Sequence, residues 1–185
     1  MSKHIGWALI GASNVARQWI IDAIQVQANS SILNVLSSSD ERGAKFAAEN
    51  GIPAHTTDIN AILTDDRVDA VYISTANQFH CEQTLAAARA GKNVLCEKPV
   101  ALTVADARRM IAACRDARVV LGVNHHLRCN AMHQKLRRIL AEGTIGRLNA
   151  VRVFHANFLP QALHGWRVND PDGGGLILDL SLIHI

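Results

Sequence analysis

No apolar run in this chain approaches the length of a membrane span, and no block of like charge stands out. Nineteen Lys and Arg stand against sixteen Asp and Glu, a formal net charge of +3, so nothing calls for nucleic acid as a partner. There is no C-x-x-C pair. Cys81, Cys96, Cys114 and Cys129 are widely spaced and read as free thiols in a reducing compartment. With no signal peptide ahead of them, the expected setting is the cytoplasm, away from any membrane. Repeats and low-complexity stretches are missing too. His126, Cys129 and His133 have spacings that a metal can use, but no fourth ligand follows, so no metal is expected. Lys135, Arg137 and Arg138 read as the solvated face of one helix.

What the chain does have is an alternation. Of its 185 residues, 49% are hydrophobic and 19% charged, enough for one complete domain and part of a second. Apolar strands rich in β-branched residues are expected at 32–36, 70–74, 93–96 and 119–123. Helical patterns fall at 15–28, 41–50, 78–90 and 104–117, with Gly51 and Gly91 as left-handed caps. Strands joined by crossover helices predict an α/β fold, a doubly wound parallel sheet of the Rossmann type. The rhythm changes after about residue 123. A helix over 131–142 ends at Gly143, and 149–158 alternates like a strand of a new sheet. The reading is a dinucleotide-binding domain over 1–122 and the partial start of an α+β domain over 123–185.

Three places carry chemistry. The first is the opening run from Ile5 to Ala16, where an apolar strand stops at Gly11 and passes through Ala12, Ser13, Asn14, Val15 and Ala16 into a helix. Such a turn aims unpaired N–H groups and the positive dipole end at a pyrophosphate. The strict fingerprint has glycine where this chain has Ser13 and Ala16. Ser13 either sets the loop further from the phosphates or donates its hydroxyl to them. The second place is the end of the second strand, Ser37-Ser38-Ser39-Asp40-Glu41-Arg42. Ser37 brings no charge to repel a 2′-phosphate, and Arg42 can pair with one bidentately, which favours NADP(H) over NAD. Ser39 is also well placed as a helix cap. The third is Glu97-Lys98-Pro99, following a buried strand. A lysine at the carboxyl end of a central parallel strand lies in the ligand crevice, able to polarise a carbonyl; the bland alternative is a surface loop lysine, and the proline fits a fixed turn with a cis bond.

Together these residues resemble the Gfo/Idh/MocA family of sugar and polyol oxidoreductases, whose signature is the Glu-Lys-Pro turn on a glycine-loop dinucleotide fold. The resemblance runs through nearly all of the chain, including Asn124-His125-His126-Leu127-Arg128 and Val153-Phe154-His155-Ala156. It implies that Ser13, Ala16, Ser37 and Arg42 contact the cofactor, with Ser38 beside them, and that Lys98 is catalytic. It implies that Ser74, Thr75 and Asn77 border the nicotinamide side of the cleft, with His80 and Glu97 close by. It also implies that His155, Trp166 and Arg167 face the substrate; Trp166 as packing and His155 as an inward strand residue are the plain alternatives. The activity implied is NADPH-dependent reduction of a sugar-derived ketone, in a protein that associates as a homo-oligomer through its second sheet.

The last motif departs from the pattern. Gly173-Gly174-Gly175 and Asp179 fit, but the family's catalytic histidine falls at Ile183, with His184 one place on. On a helix that step turns the side chain by about 100°. The chain is therefore expected to be a truncated product whose residues from about Leu182 are not native to the family, with His184 as a stand-in the competing account. Two other readings stay open: a dinucleotide-binding module without turnover, and a related NAD(P)-dependent sugar or inositol dehydrogenase.

Overall fold

A computed structural model describes residues 3–152 and His164. One compact unit ends at Asn124, and a second begins at His125. The first is built on β1 (Ile5–Ile10), β2 (Ser30–Leu36), β3 (His55–Thr56), β4 (Ala70–Ile73), β5 (Asn93–Cys96) and β6 (Leu121–Val123). They pair in parallel in the order β3-β2-β1-β4-β5-β6. The helices between them are α1 (Ile21–Gln25), α2 (Asp40–Glu49), α3 (Ile59–Leu63), α4 (His80–Arg89) and α5 (Val104–Asp116).

A parallel strand covered on both faces has no polar side to show, and β4, Ala-Val-Tyr-Ile, is buried at every position. Side chains alternate across the sheet. Ala8, Ile10, Val71, Ile73, Val94 and Cys96 pack on one face with Ile62, Leu85 and Met110. Leu9, Val35 and Tyr72 pack on the other with Ile21, Ile24 and Phe46. Helix starts follow local chemistry: Ser39 Oγ accepts from the Arg42 N–H, and Thr103 and Asp58 cap α5 and α3 in the same way. Gly51 and Gly91 close α2 and α4.

Several bounds differ from the sequence expectation. The helix expected over 15–28 opens with a widened turn at Ala16–Ile20, where the Ile21 N–H reaches back to the Ala16 carbonyl. It ends at Gln25, because the Gln27 N–H turns back to Ile24. The strand expected over 119–123 starts only at Leu121. The Val119 N–H goes to the Cys114 carbonyl and the Val120 N–H to the Asn93 side chain, which removes both donors from the ladder. β3 and α3 were not anticipated; they are two and five residues long, too short to show a period. In the second unit, Asn130 caps α6 (Ala131–Ala141) and Gly143 follows it in a left-handed conformation. Residues 149–152 form no strand, and the rest of the strand expected there lies outside the described residues.

β1 and β4 are neighbours at the centre, and Gly11 fixes how closely their ends approach. Its φ is +117°, and a Cβ there would stand 3.0 Å from the Ser74 carbonyl carbon and 3.1 Å from the Thr75 nitrogen. Gly11→Ala is expected to lower the unfolding free energy by ~1–3 kcal/mol in urea denaturation, from backbone strain alone.

Candidate active site

The glycine loop is held by its own side chains. Ser13 Oγ accepts from the Ala16 N–H at 3.1 Å, as an N-cap, and shares a hydrogen with Ser74 Oγ at 2.7 Å. Its hydroxyl is thus committed to the helix start and to the β4 loop, an arrangement the sequence did not suggest. Ala12 and Ala16 are buried, Val15 is partly buried and Asn14 exposed, with Asn14 Oδ1 accepting from Arg17 at 2.9 Å.

At the end of β2, Arg42 reaches back over the loop. Its Nη2 donates to the Ala12 carbonyl at 2.7 Å, and Nη1 lies 3.5 Å from Ser38 Oγ. The guanidinium therefore lies where β1 and β2 end, with Ser38 exposed beside it. Ser37 is only 6% exposed, and its hydroxyl is buried without a hydrogen-bond partner. A Cβ on Gly43 would come within 3.2 Å of Ser37 Cβ. The Ser37 side chain is tucked beneath α2, so it reaches a ligand only by rotating.

Past β4, Ser74 and Asn77 are buried, and Thr75 Oγ1 donates to Gln83 Oε1 at 2.6 Å. His80 is fully buried. Its Nδ1 lies 2.8 Å from the Pro99 carbonyl and its Nε2 3.2 Å from the Thr75 carbonyl. Burial holds the ring's pKa below the ordinary histidine value, against the pull of both carbonyls and the Glu97 charge. A neutral ring has one N–H, so it donates to one of these two carbonyls at a time. His80 thereby ties the loop after β4 to the Lys98-Pro99 turn, whose peptide bond is cis.

β5 delivers Glu97 and Lys98. Glu97 is 5% exposed. Its Oε1 accepts from Tyr72 Oη at 2.6 Å and Asn124 Nδ2 at 2.5 Å, while its Oε2 accepts from the Lys98 N–H at 3.3 Å. Burial, and then the Glu97 charge beside it, push the Tyr72 phenol far above its ordinary range, so it remains a donor. Lys98 is partly buried at the strand's carboxyl end. Tyr72 and Asn124 were missed in the sequence. The signal was a lone tyrosine inside an apolar strand, since a buried hydroxyl needs a partner.

All four cysteines are free; Cys81, Cys96 and Cys114 are buried and Cys129 is exposed. Burial raises the first three thiols above their ordinary pKa, Cys96 to about 12. Among the described residues no cluster of His, Cys, Asp or Glu is placed to hold a metal ion, and no helix is long and apolar enough to cross a membrane. Asp179, Ile183, His184, His155, Trp166 and Arg167 lie outside the described residues.

The residues present fit a dinucleotide. Gly11 lets the first loop pass close against Ser74 and Thr75, a serine-capped helix starts from that loop, a guanidinium stands at the end of β2, and Ser37 there carries a buried, unpartnered hydroxyl. Residues 5–125 match the model of the oxidoreductase family with an NAD-binding Rossmann fold, and residues 133–184 match the GFO/IDH/MocA C-terminal domain. The chain belongs to the Gfo/Idh/MocA family. It is 54% identical to 1,5-anhydro-D-fructose reductase of Ensifer adhaerens over 177 residues, 95% of this chain and 53% of that protein. It is 29% identical to myo-inositol 2-dehydrogenase of Thermotoga maritima over 96% of this chain and 50% of that one. Among solved structures, the 3-ketoreductase of Actinomadura kijaniata in complex with NADP superposes with a TM-score of 0.71 at 29% identity, over 78% of this chain and 46% of that one. Levoglucosan dehydrogenase in complex with NADH and levoglucosan superposes with a TM-score of 0.72 at 28% identity, over 78% and 41%. The chain spans about half the length of the curated relatives it matches.

His80 gives this site a pH signature. Its folded pKa lies below the unfolded value of about 6.5, so the unfolded chain takes up the proton first as acidity rises. Stability should therefore fall as pH drops below about 6.5, by at most about 1.4 kcal/mol per pH unit. Urea midpoints between neutral and mildly acidic pH should show this slope in the native chain. His80→Gln, which has an amide N–H to offer the Pro99 carbonyl, should lack it.

Proposed function

We propose that the whole protein reduces a sugar-derived ketone with NADPH, most specifically the 2-keto group of 1,5-anhydro-D-fructose, giving 1,5-anhydro-D-mannitol. The observation that carries this reading is the 54% identity to the Ensifer adhaerens reductase along 95% of the chain. The glycine loop would hold the pyrophosphate, Arg42 the 2′-phosphate, and the loops after β4 and β5 the nicotinamide end. When bound, the coenzyme supplies the reducing equivalent. Lys98 Nζ would stabilise negative charge growing on the ketone oxygen, and the histidine that follows Asp179 in the family's pattern would give the proton that completes the alcohol. This sequence has Ile183 at the family position for that histidine; the reading is that residues from about Leu182 are not native to the family, with His184 as the competing stand-in. His155, Trp166 and Arg167 would orient the sugar.

The preference for NADPH rests on charge. Nothing anionic follows β2 until Asp40, whose carboxylate lies 3.1 Å from His55 Nε2, and the exposed Arg42 side chain is held over the loop by the Ala12 carbonyl and Ser38 Oγ. Among relatives of this fold, one structure holds NADP and another NADH. A second reading is a dinucleotide-binding module without turnover, with the match of residues 5–125 to the NAD-binding Rossmann-fold model as its support. An oxidative NAD-dependent sugar or inositol dehydrogenase is the third.

Titration with NADPH and NADH, followed by an assay of 1,5-anhydro-D-fructose reduction, separates the three. Arg42→Ala should weaken NADPH by about 10- to 100-fold, the loss of a charge-assisted pair, and leave NADH nearly unchanged. Ser37→Asp should turn the preference toward NADH. Lys98→Met should cut turnover by at least about 100-fold with NADPH affinity retained. Tight NADPH binding without turnover in the native chain would select the module; tighter NADH than NADPH would select the dehydrogenase.

A further inference from the structure

The Glu97-Lys98-Pro99 turn is held from inside the protein as well as from the cleft. Tyr72 belongs to β4 and Asn124 follows β6, yet both donate to the same oxygen of Glu97, at the end of β5 between them. Two donors on Oε1 fix the plane of a carboxylate that is 5% exposed. That orientation turns Oε2 to the Lys98 N–H. Tyr72 is fully buried, its ring packed in the cluster that contains Leu9, Val35 and Phe46. Its hydroxyl is therefore carried by a side chain enclosed within the sheet core. On the other side of the turn, His80 holds the Pro99 carbonyl from α4.

We propose that Tyr72 is a positioning residue for Lys98, acting through the buried carboxylate of Glu97. The hydroxyl transmits the rigidity of the sheet core to the one backbone amide that sets where the lysine side chain begins. Without it, Oε1 loses one of these two donors while the carboxylate stays 5% exposed. The carboxylate is then free to rotate toward its remaining partner, and the Lys98 N–H loses its acceptor. Any catalytic consequence rests on the reading of Lys98 given above; the mechanical claim does not.

Tyr72→Phe keeps the ring and removes only the hydroxyl. Amide hydrogen exchange followed residue by residue should show the Lys98 N–H exchanging at least about 5-fold faster in the variant, while amides of β1 and β2 change by less than about 2-fold. NADPH affinity should stay within about 2-fold. Turnover of the ketone should fall by about 10-fold with little change in KM, because a misplaced polarising group costs transition-state stabilisation and not binding. Asn124→Leu should mimic the exchange effect, and the double variant should fall short of the sum, because both donors act through one oxygen.

Unchanged exchange at Lys98 overturns the proposal, and so does a uniform rise across the sheet, which is what a packing role alone gives. If the native chain binds NADPH but reduces no ketone, the functional reading fails while the exchange experiment still decides this one. Should the phenylalanine variant not fold, biosynthetic fluorotyrosine provides a second measurement, because Tyr72 is the chain's single tyrosine. Its fluorine resonance should move on Glu97→Gln; a resonance indifferent to that change would overturn the contact.

Discussion

The site depends on one close approach between two backbones. β1 and β4 lie side by side, and the connections that follow them leave for opposite faces of the sheet, which opens a crevice above their carboxyl ends. The crevice keeps its shape because Gly11 lets the first loop pass within van der Waals contact of Ser74 and Thr75. Hydroxyls and a guanidinium then bind the loops to each other: Ser13 to Ser74, and Arg42 to the Ala12 carbonyl. Each tie uses a polar group at a strand end, where the sheet ladder has stopped and backbone groups need partners.

On the proposed function, holding the coenzyme and choosing it fall to different segments. The glycine loop and its serine cap belong to the scaffold, and their hydrogen bonds are spent within the protein. On the proposed reading, selection falls to the short segment after β2, where Ser37 is enclosed and the exposed Arg42 is anchored to the Ala12 carbonyl. Relatives of one fold carry NADP in one structure and NADH in another.

The fold was legible wherever a period had room to repeat. Strands such as Asn93–Cys96 and helices such as Asp40–Glu49 and Val104–Asp116 fall within a residue of their expected bounds, because an apolar pattern and a cap agree there. The short edge strand β3 and the one-turn helix α3 escaped, though Asp58 caps α3 and Ile62 and Leu63 are both buried. In the site, Lys98 and Arg42 announced themselves by charge at a strand end. The Ser13–Ser74 and Tyr72–Glu97–Asn124 contacts did not, because they join residues 61, 25 and 27 positions apart whose meeting is set by strand order. Glycine spacing shows that a turn exists; only the strand order shows which side chains meet across it.

The cysteines leave the two units chemically unlike. The thiols in the nucleotide-binding unit are buried and resist deprotonation, whereas Cys129 stands exposed just past the start of the second unit. Alkylating reagents will therefore mark Cys129 first. A dye placed there can follow events in the second unit while the first stays chemically native, with no thiol removed by mutation.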